Sequence, residues 1–293
     1  MKVHLVDGTY ELFRHFFGAP PHRNESGQEV AAVRGVLGSV VQLLEEGATH
    51  VGVATDHVIE SFRNDMWAGY KTGDGVDPDL KSQFSPLEDA LVALGVFVWP
   101  MVDVEADDAL ASAAAVAADD SRVEQVVICT PDKDLGQCVR ERHVVQLDRR
   151  KNLLIDEAGV VAKFGVPPTS IPDYLALVGD SADGFPGLSG WGAKSAATVL
   201  ARWGHLEDIP PEAGDWGVTV RGASKLAATL QDDYERALLF KDLATLRIER
   251  PLLAGVDALH WRGPSAEFNA VCDMLDAPGV ARRADALALQ RIR

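Results

Sequence analysis

The stretch LVGDSADGFPGLSGWGAKSAATVL, residues 177–200, holds two aspartates, a run of glycines and a single lysine. Asp180 and Asp183 stand three residues apart, directly ahead of Gly187, Gly190 and Gly192. Glycines let the backbone turn with positive φ and approach a ligand closely. The N–H groups that open the helical run after Lys194 are suited to an anion. Carboxylates repel one. The segment therefore sets acids beside a turn fit for phosphate, and the rest of the chain has to reconcile the two.

The chain has 293 residues, 47% apolar and 25% charged, which predicts a soluble globular protein of one large domain or two ordinary ones. No apolar run reaches the roughly 18 residues of a membrane helix. The start, MKVHLVDG, has too short an apolar stretch before Asp7 for a signal peptide. Cys129, Cys138 and Cys272 form no C-x-x-C pair, so reduced thiols and a cytoplasmic location are expected. No oligomer signature is visible, and a monomer is the default. The net charge of −16, from 44 acids and 28 bases, opposes phosphate binding by the chain as a whole. Two divalent cations would offset only four of those charges. Affinity for a nucleic acid would then rest on a local basic strip and fall steeply with salt.

The first half alternates short Val- and Ile-rich strands with helical patterns. Strands are predicted at 2–7, 49–56, 96–100, 125–132 and 143–148, and helices near 29–46, 80–94 and 106–118. This alternation predicts an α/β fold, a mostly parallel central sheet flanked by helices. Residues 60–86 are less regular and read as a segment over the sheet's crevice. From about 166 the character turns helical and stays so to about 245, with a terminal appendix at 246–293. Within it, 171–179 and the run after Lys194 flank the glycine turn as a helix–hairpin–helix.

Acids follow four of the strands: Asp7, then Asp56, then Glu105 with Asp107 and Asp108, then Asp132 and Asp134. In an open parallel sheet the carboxyl ends of the strands meet at one crevice, where ligands bind. Asp180 and Asp183 bring the set to nine. Each acid has an ordinary explanation alone. Asp7-Gly8 suits a turn, the acids at 105–108 suit a helix N-terminus, PDKD at 131–134 suits a solvated loop, and Asp180 and Asp183 suit caps. Together they cannot all stay ionised unaided, because like charges and burial raise one another's pKa. Hard divalent cations, Mg²⁺ or Mn²⁺, remove that conflict. None of the nine is a histidine or cysteine, which argues against zinc.

In order along the chain, VDGTYELFR (6–14), ATDHVIESFR (54–63) with GYK (69–71), VEADDALA (104–111), TPDKDLGQCV (130–139), the segment 171–200 and LATLRIERPL (243–252) are similar to the motifs of the 5′-nuclease family. That family includes the 5′→3′ exonuclease domain of bacterial DNA polymerase I and the flap endonucleases. The resemblance spans nearly the whole chain and leaves no room for a polymerase module, so a stand-alone member is expected. It implies a nuclease domain over 1–165 with an arch segment near 60–90. It also implies a helix–hairpin–helix region over 166–250 and an appendix over 251–293 packed on the nuclease core. By the same resemblance, Asp7, Asp56, Glu105 and Asp107 look like ligands of a first metal. Asp132, Asp134, Asp180 and Asp183 look like the shell of a second, with Asp108 between them. Arg63 and Lys71 match basic residues that reach the scissile phosphate. Gly187, Gly190, Gly192 and Lys194 match the hairpin that grips duplex DNA, a place where the family also holds K⁺. Arg14, Lys81 and Lys133 are weaker candidates for backbone contact. A third divalent ion is compatible with the pattern.

The chain departs from that pattern in places. It has Gly184 where the family has Asn, Ser189 and Trp191 where small residues are usual, and Pro131 for a common glycine. Its arch segment is acidic.

The implied activity is two-metal hydrolysis of DNA phosphodiesters, with cations about 4 Å apart. The substrate would carry a free 5′ end or a 5′ flap, and the products a 5′-phosphate and a 3′-hydroxyl, in replication or repair. Two alternatives remain at this stage: a PIN-like ribonuclease, and a non-catalytic DNA-binding relic.

Overall fold

A computed structural model describes residues 1–248 and 252–291. The elements run β1 (Lys2–Asp7), α1 (Gly8–Gly18), α2 (Ala31–Glu45), β2 (His50–Thr55), α3 (Arg63–Met66), α4 (Pro78–Lys81), α5 (Phe84–Ala93), β3 (Phe97–Pro100) and α6 (Ala106–Ala118). They continue with β4 (Gln125–Cys129), β5 (Val144–Asp148), β6 (Leu153–Ile155), α7 (Glu157–Phe164), α8 (Ile171–Val178), α9 (Ala193–Trp203), α10 (Ala223–Asp232) and α11 (Tyr234–Ala244). The last are α12 (Phe268–Met274) and α13 (Pro278–Arg291). None of these helices is long and apolar enough to cross a membrane.

The chain divides into two compact units. The first comprises Met1–Ile59, Gly73–Thr130 and the described residues from Ile248 onward. Its four strands are all parallel, in the order β3-β2-β1-β4. Every residue of β2 is buried, as a strand covered on both faces requires. Gly52 lies under Trp99, whose ring atoms would be 2.4 Å from a Cβ at that position. Alanine-rich α6 is buried along most of its length, because small side chains let it lie close to its neighbours.

The second unit comprises Glu60–Thr72 and Pro131–Arg247. It pairs β5 with β6 antiparallel and gathers its helices around α8, of whose eight residues only Val178 is not buried. Phe185, Phe240, Trp216 and Trp191 fill its core.

The strand predicted at 125–132 ends at Cys129, since Pro131 cannot donate to a ladder. The helix predicted at 80–94 is two helices, α4 and α5. Pro86 removes one helical N–H, and its ring would meet the carbonyl of Ser82, so the turn breaks ahead of it. Gln83 fills the break: its Oε1 accepts from Ala32 and Val33 N–H at 3.1 and 3.2 Å. The irregular segment 60–86 carries α3 and α4. Helix α1, which Asp7 caps by accepting from Tyr10 N–H, was not signalled by hydrophobic period. The motif at 243–252 and the boundary at 250–251 run across residues 249–251, outside the described residues.

Candidate metal centre

In the first unit, the register pairs Asp7 with Ala54 and Val6 with Cys129. Parallel strands thus bring Asp7, Asp56 and Thr130 to the same edge of the sheet. Asp7 Oδ1 accepts from Tyr10 N–H at 2.8 Å, and its Oδ2 accepts from the Thr130 hydroxyl at 2.9 Å. Asp56 Oδ1 accepts from Ala106 N–H at 2.8 Å, which ties the end of β2 to the start of α6. Asp56 N–H in turn donates to Thr9 Oγ1. Glu105 is the N-cap of α6, and its N–H donates to Asp108 Oδ2 at 3.0 Å. Acids at this position also suit the positive end of the helix dipole. Glu105 and Asp108 are buried and Asp107 is half-buried. Among the described residues, no three carboxylates of this unit bring oxygens within 4.8 Å of one another.

In the second unit, Asp134, Asp180 and Asp183 do so, and all three are buried. Local structure explains the approach. Asp180 and Phe185 exchange backbone hydrogen bonds of 2.8 and 3.0 Å, closing a tight loop whose turn is made by Gly184 at φ 83°. The Asp180 side chain accepts from Ala182 N–H at 2.9 Å, which fixes its direction. Asp134 opens a 3₁₀ turn and donates its N–H to Asp132 Oδ1 at 3.0 Å. Gln146 Nε2 donates to the Asp132 carbonyl at 2.6 Å and so holds the segment on β5.

The electrostatics are unfavourable for anions alone. Burial pushes the Asp134 carboxyl well above the ordinary carboxylate range. The charges of Asp132, Asp183 and Asp180 add to that rise, and Lys133 opposes it. Asp134 Oδ1 is buried and has no hydrogen-bond partner. An unpartnered oxygen facing two further carboxylates is the donor set a hard cation such as Mg²⁺ or Mn²⁺ takes, so the residues fit a divalent ion. Two lysines already touch the cluster. Lys133 Nζ pairs with Asp180, and Lys71 Nζ lies 2.9 Å from Asp183 Oδ1. Burial draws the Lys133 ammonium down, but Asp134, Asp180 and Asp132 outweigh it, and its pKa is raised.

Arg63 is only 1% exposed; its Nε donates to Leu243 O at 2.8 Å and its Nη2 to Thr245 O at 3.2 Å. It anchors two backbone carbonyls at the end of α11. Arg14 pairs with buried Glu11 on its own helix and lies 2.8 Å from the His15 ring. Lys81 and Lys194 are exposed. Gly187 and Gly190 have φ of 68° and 83°. A Cβ at Gly187 would meet Gly179 N at 2.4 Å, so the turn closes only with glycine there. Gly192 is extended and caps α9, its N–H bonded to Ser195 Oγ at 3.0 Å.

The departures have local causes. Trp191 is a core residue: its Nε1 donates to Leu226 O at 3.2 Å and its ring tilts against Trp216 at 5.7 Å. A Cβ on Gly184 would lie 2.0 Å from Gly69 O, so the asparagine usual at that place does not fit this backbone. Sequence reading missed Thr130 as a partner of Asp7. It also missed His57, whose Nδ1 lies 2.7 Å from buried Glu88, itself bonded to the Thr55 hydroxyl at 2.6 Å. The only signal for His57 was its place directly after Asp56.

Family models match along most of the chain: the 5′-3′ exonuclease N-terminal resolvase-like domain over residues 2–165 and the 5′-3′ exonuclease C-terminal SAM fold over 166–267. A 5′-3′ exonuclease of Aquifex aeolicus is 34% identical over 209 residues, 71% of this chain and 71% of that protein. DNA polymerase I of Pseudomonas aeruginosa is 34% identical over 273 residues, 90% of this chain. The chain spans only 29% of that polymerase. In fold it resembles the flap endonuclease of bacteriophage T5, solved as a pseudo-enzyme–product complex with DNA and metal ions. There the TM-score is 0.64 at 17% identity, over 98% of each chain. With its strands, its acids and its glycine turn in these places, the chain belongs to the 5′-3′ exonuclease family.

Proposed function

We propose that the protein hydrolyses DNA phosphodiesters from a free 5′ end and at 5′ flaps, leaving a 5′-phosphate and a 3′-hydroxyl. The observation that carries this reading is the buried set Asp134, Asp180 and Asp183 with its unpartnered oxygen. Family membership supplies the substrate class, and the T5 relative was solved with DNA and metal ions.

In this reading Asp132, Asp134, Asp180 and Asp183 hold one divalent cation. Asp7, Asp56, Glu105 and Asp107 hold another, with Asp108 between them. Bound there, such ions supply hydroxide at neutral pH and stabilise the leaving oxygen. The chain's own residues do the rest. Asp56 and Thr130 fix Asp7 and the start of α6 at the strand ends, so that the oxygens are held before substrate arrives. Lys71 offsets charge on the phosphate. Arg63, whose Nε and Nη2 hold the carbonyls of Leu243 and Thr245 at the end of α11, does the same. The turn 187–192 and Lys194 take the duplex backbone, with the turn as the place for K⁺. Residues 1–165, together with Asp180 and Asp183, carry the chemistry, and the rest of 166–250 the duplex grip.

One assay tests this. The protein is incubated with a 5′-flap duplex, a plain duplex and a single-stranded RNA, each with Mg²⁺ or Mn²⁺, and with Asp107→Ala and Asp132→Ala as controls. Flap cutting lost in both variants supports the reading. Cutting of RNA alone, or binding without cutting, overturns it.

A further inference from the structure

The three facing acids are unequally served. Asp180 carries the Lys133 ammonium and Asp183 the Lys71 ammonium, the latter at 2.9 Å, while Asp134 Oδ1 has no hydrogen-bond partner. Both lysines are half-buried and reach the cluster from fixed backbone. Lys71 N–H donates to Asp183 O at 3.0 Å, and Lys133 directly precedes Asp134 in sequence. Two ammonium groups bring the charge of one divalent cation. They bring it on two points, each on a flexible stem with a strongly hydrated head. They leave the third carboxylate unfilled, whereas one divalent ion takes all three.

We propose that Lys133 and Lys71 are built-in counter-cations of this centre. They occupy Asp180 and Asp183 until a divalent cation takes those oxygens, and the displaced ammonium groups then face the phosphates of the DNA strand. This rests on the metal reading given above. Lysine suits such an exchange better than arginine, whose planar fork would hold a carboxylate through two bonds. The arrangement makes metal affinity and strand grip opposed: each lysine weakens the first and strengthens the second.

The test is Mn²⁺ binding without DNA, followed by the electron-spin resonance of the free ion, for wild type, Lys133→Met and Asp134→Asn. Methionine keeps the apolar stem and drops the charge. The proposal predicts Mn²⁺ affinity roughly tenfold tighter in Lys133→Met, the scale of one competing ion pair removed, and loss of the site in Asp134→Asn. Equal or weaker affinity in Lys133→Met, with the site lost in Asp134→Asn, overturns the exchange and leaves the metal centre standing. Wild-type binding in Asp134→Asn overturns the metal centre and the exchange with it. Thermal unfolding guards against a folding defect: Mn²⁺ should raise the melting temperature more in Lys133→Met than in wild type, and a smaller rise counts against the exchange.

Discussion

Asp134 and Asp180 face one another from separate turns, their carboxylate oxygens within 4.8 Å and both side chains buried. Fixed like charges at that separation raise the free energy of the fold unless a cation or proton intervenes. The loop that carries Asp180 is closed by backbone bonds to Phe185, and Asp134 is held by a 3₁₀ turn, so neither acid can simply swing away. The arrangement stores an electrostatic cost in the place where a ligand can relieve it.

That cost sets a pH dependence. The Asp134 pKa is raised in the folded state, chiefly by burial. Its contribution to stability is therefore fully present below the unfolded value, about 3.9, and is lost as pH rises through the folded value. With metal chelated at pH 8, Asp134→Asn should melt higher than wild type, by roughly 2–4 °C for each kcal/mol relieved. At pH 4 the two should converge. Calorimetry in EDTA across that range checks it, and a variant melting lower at pH 8 contradicts it.

Arg63 separates anchoring from catalysis. Its guanidinium serves the carbonyls of Leu243 and Thr245, and a lysine cannot reproduce both bonds. Arg63→Lys should cost about 2–3 kcal/mol, since it leaves a buried acceptor unpaired. Urea unfolding measures this. An unchanged midpoint with lower nuclease activity would assign Arg63 to substrate alone.

Gly184 tests the loop. Residue 184 has φ 83°, and its Cβ would stand 2.0 Å from Gly69 O. Gly184→Ala should lose about 2–4 kcal/mol from strain and displacement of the Asp183 backbone. Its metal affinity should fall with it. A change under about 0.5 kcal/mol, the range of an ordinary surface substitution, would show that the loop has room to spare.

Trp191 sits inside the glycine hairpin yet belongs to the core. Trp191→Ala removes a ring packed on Trp216 and a bond to Leu226 O, a loss of about 3–5 kcal/mol. Trp191→Phe should recover most of it. A tryptophan that instead contacts DNA would weaken duplex binding in both variants at unchanged stability, which a binding titration beside a melting curve distinguishes.

The parallel strands were legible because β1, β2 and β4 are short, mostly apolar runs with an acid at or within three residues of their ends. The helix–hairpin–helix was legible from Gly187 and Gly190, whose positive φ few other residues adopt. What the sequence hid depends on distance in space. Nothing near Arg63 in the chain signals the carbonyls of Leu243 and Thr245, some 180 residues away. The pairing of Lys133 with Asp180 and of Lys71 with Asp183 is equally non-local. Gly184 read as a departure from a pattern, and only the nearness of Gly69 O gives its reason.

The most direct measurement is anomalous diffraction from a crystal of the protein grown with Mn²⁺. The account predicts a peak ligated by oxygens of Asp134, Asp180 and Asp183, with the Lys133 ammonium moved off Asp180. Full Mn²⁺ occupancy elsewhere, with these three carboxylates bonded to protein groups alone, would contradict it.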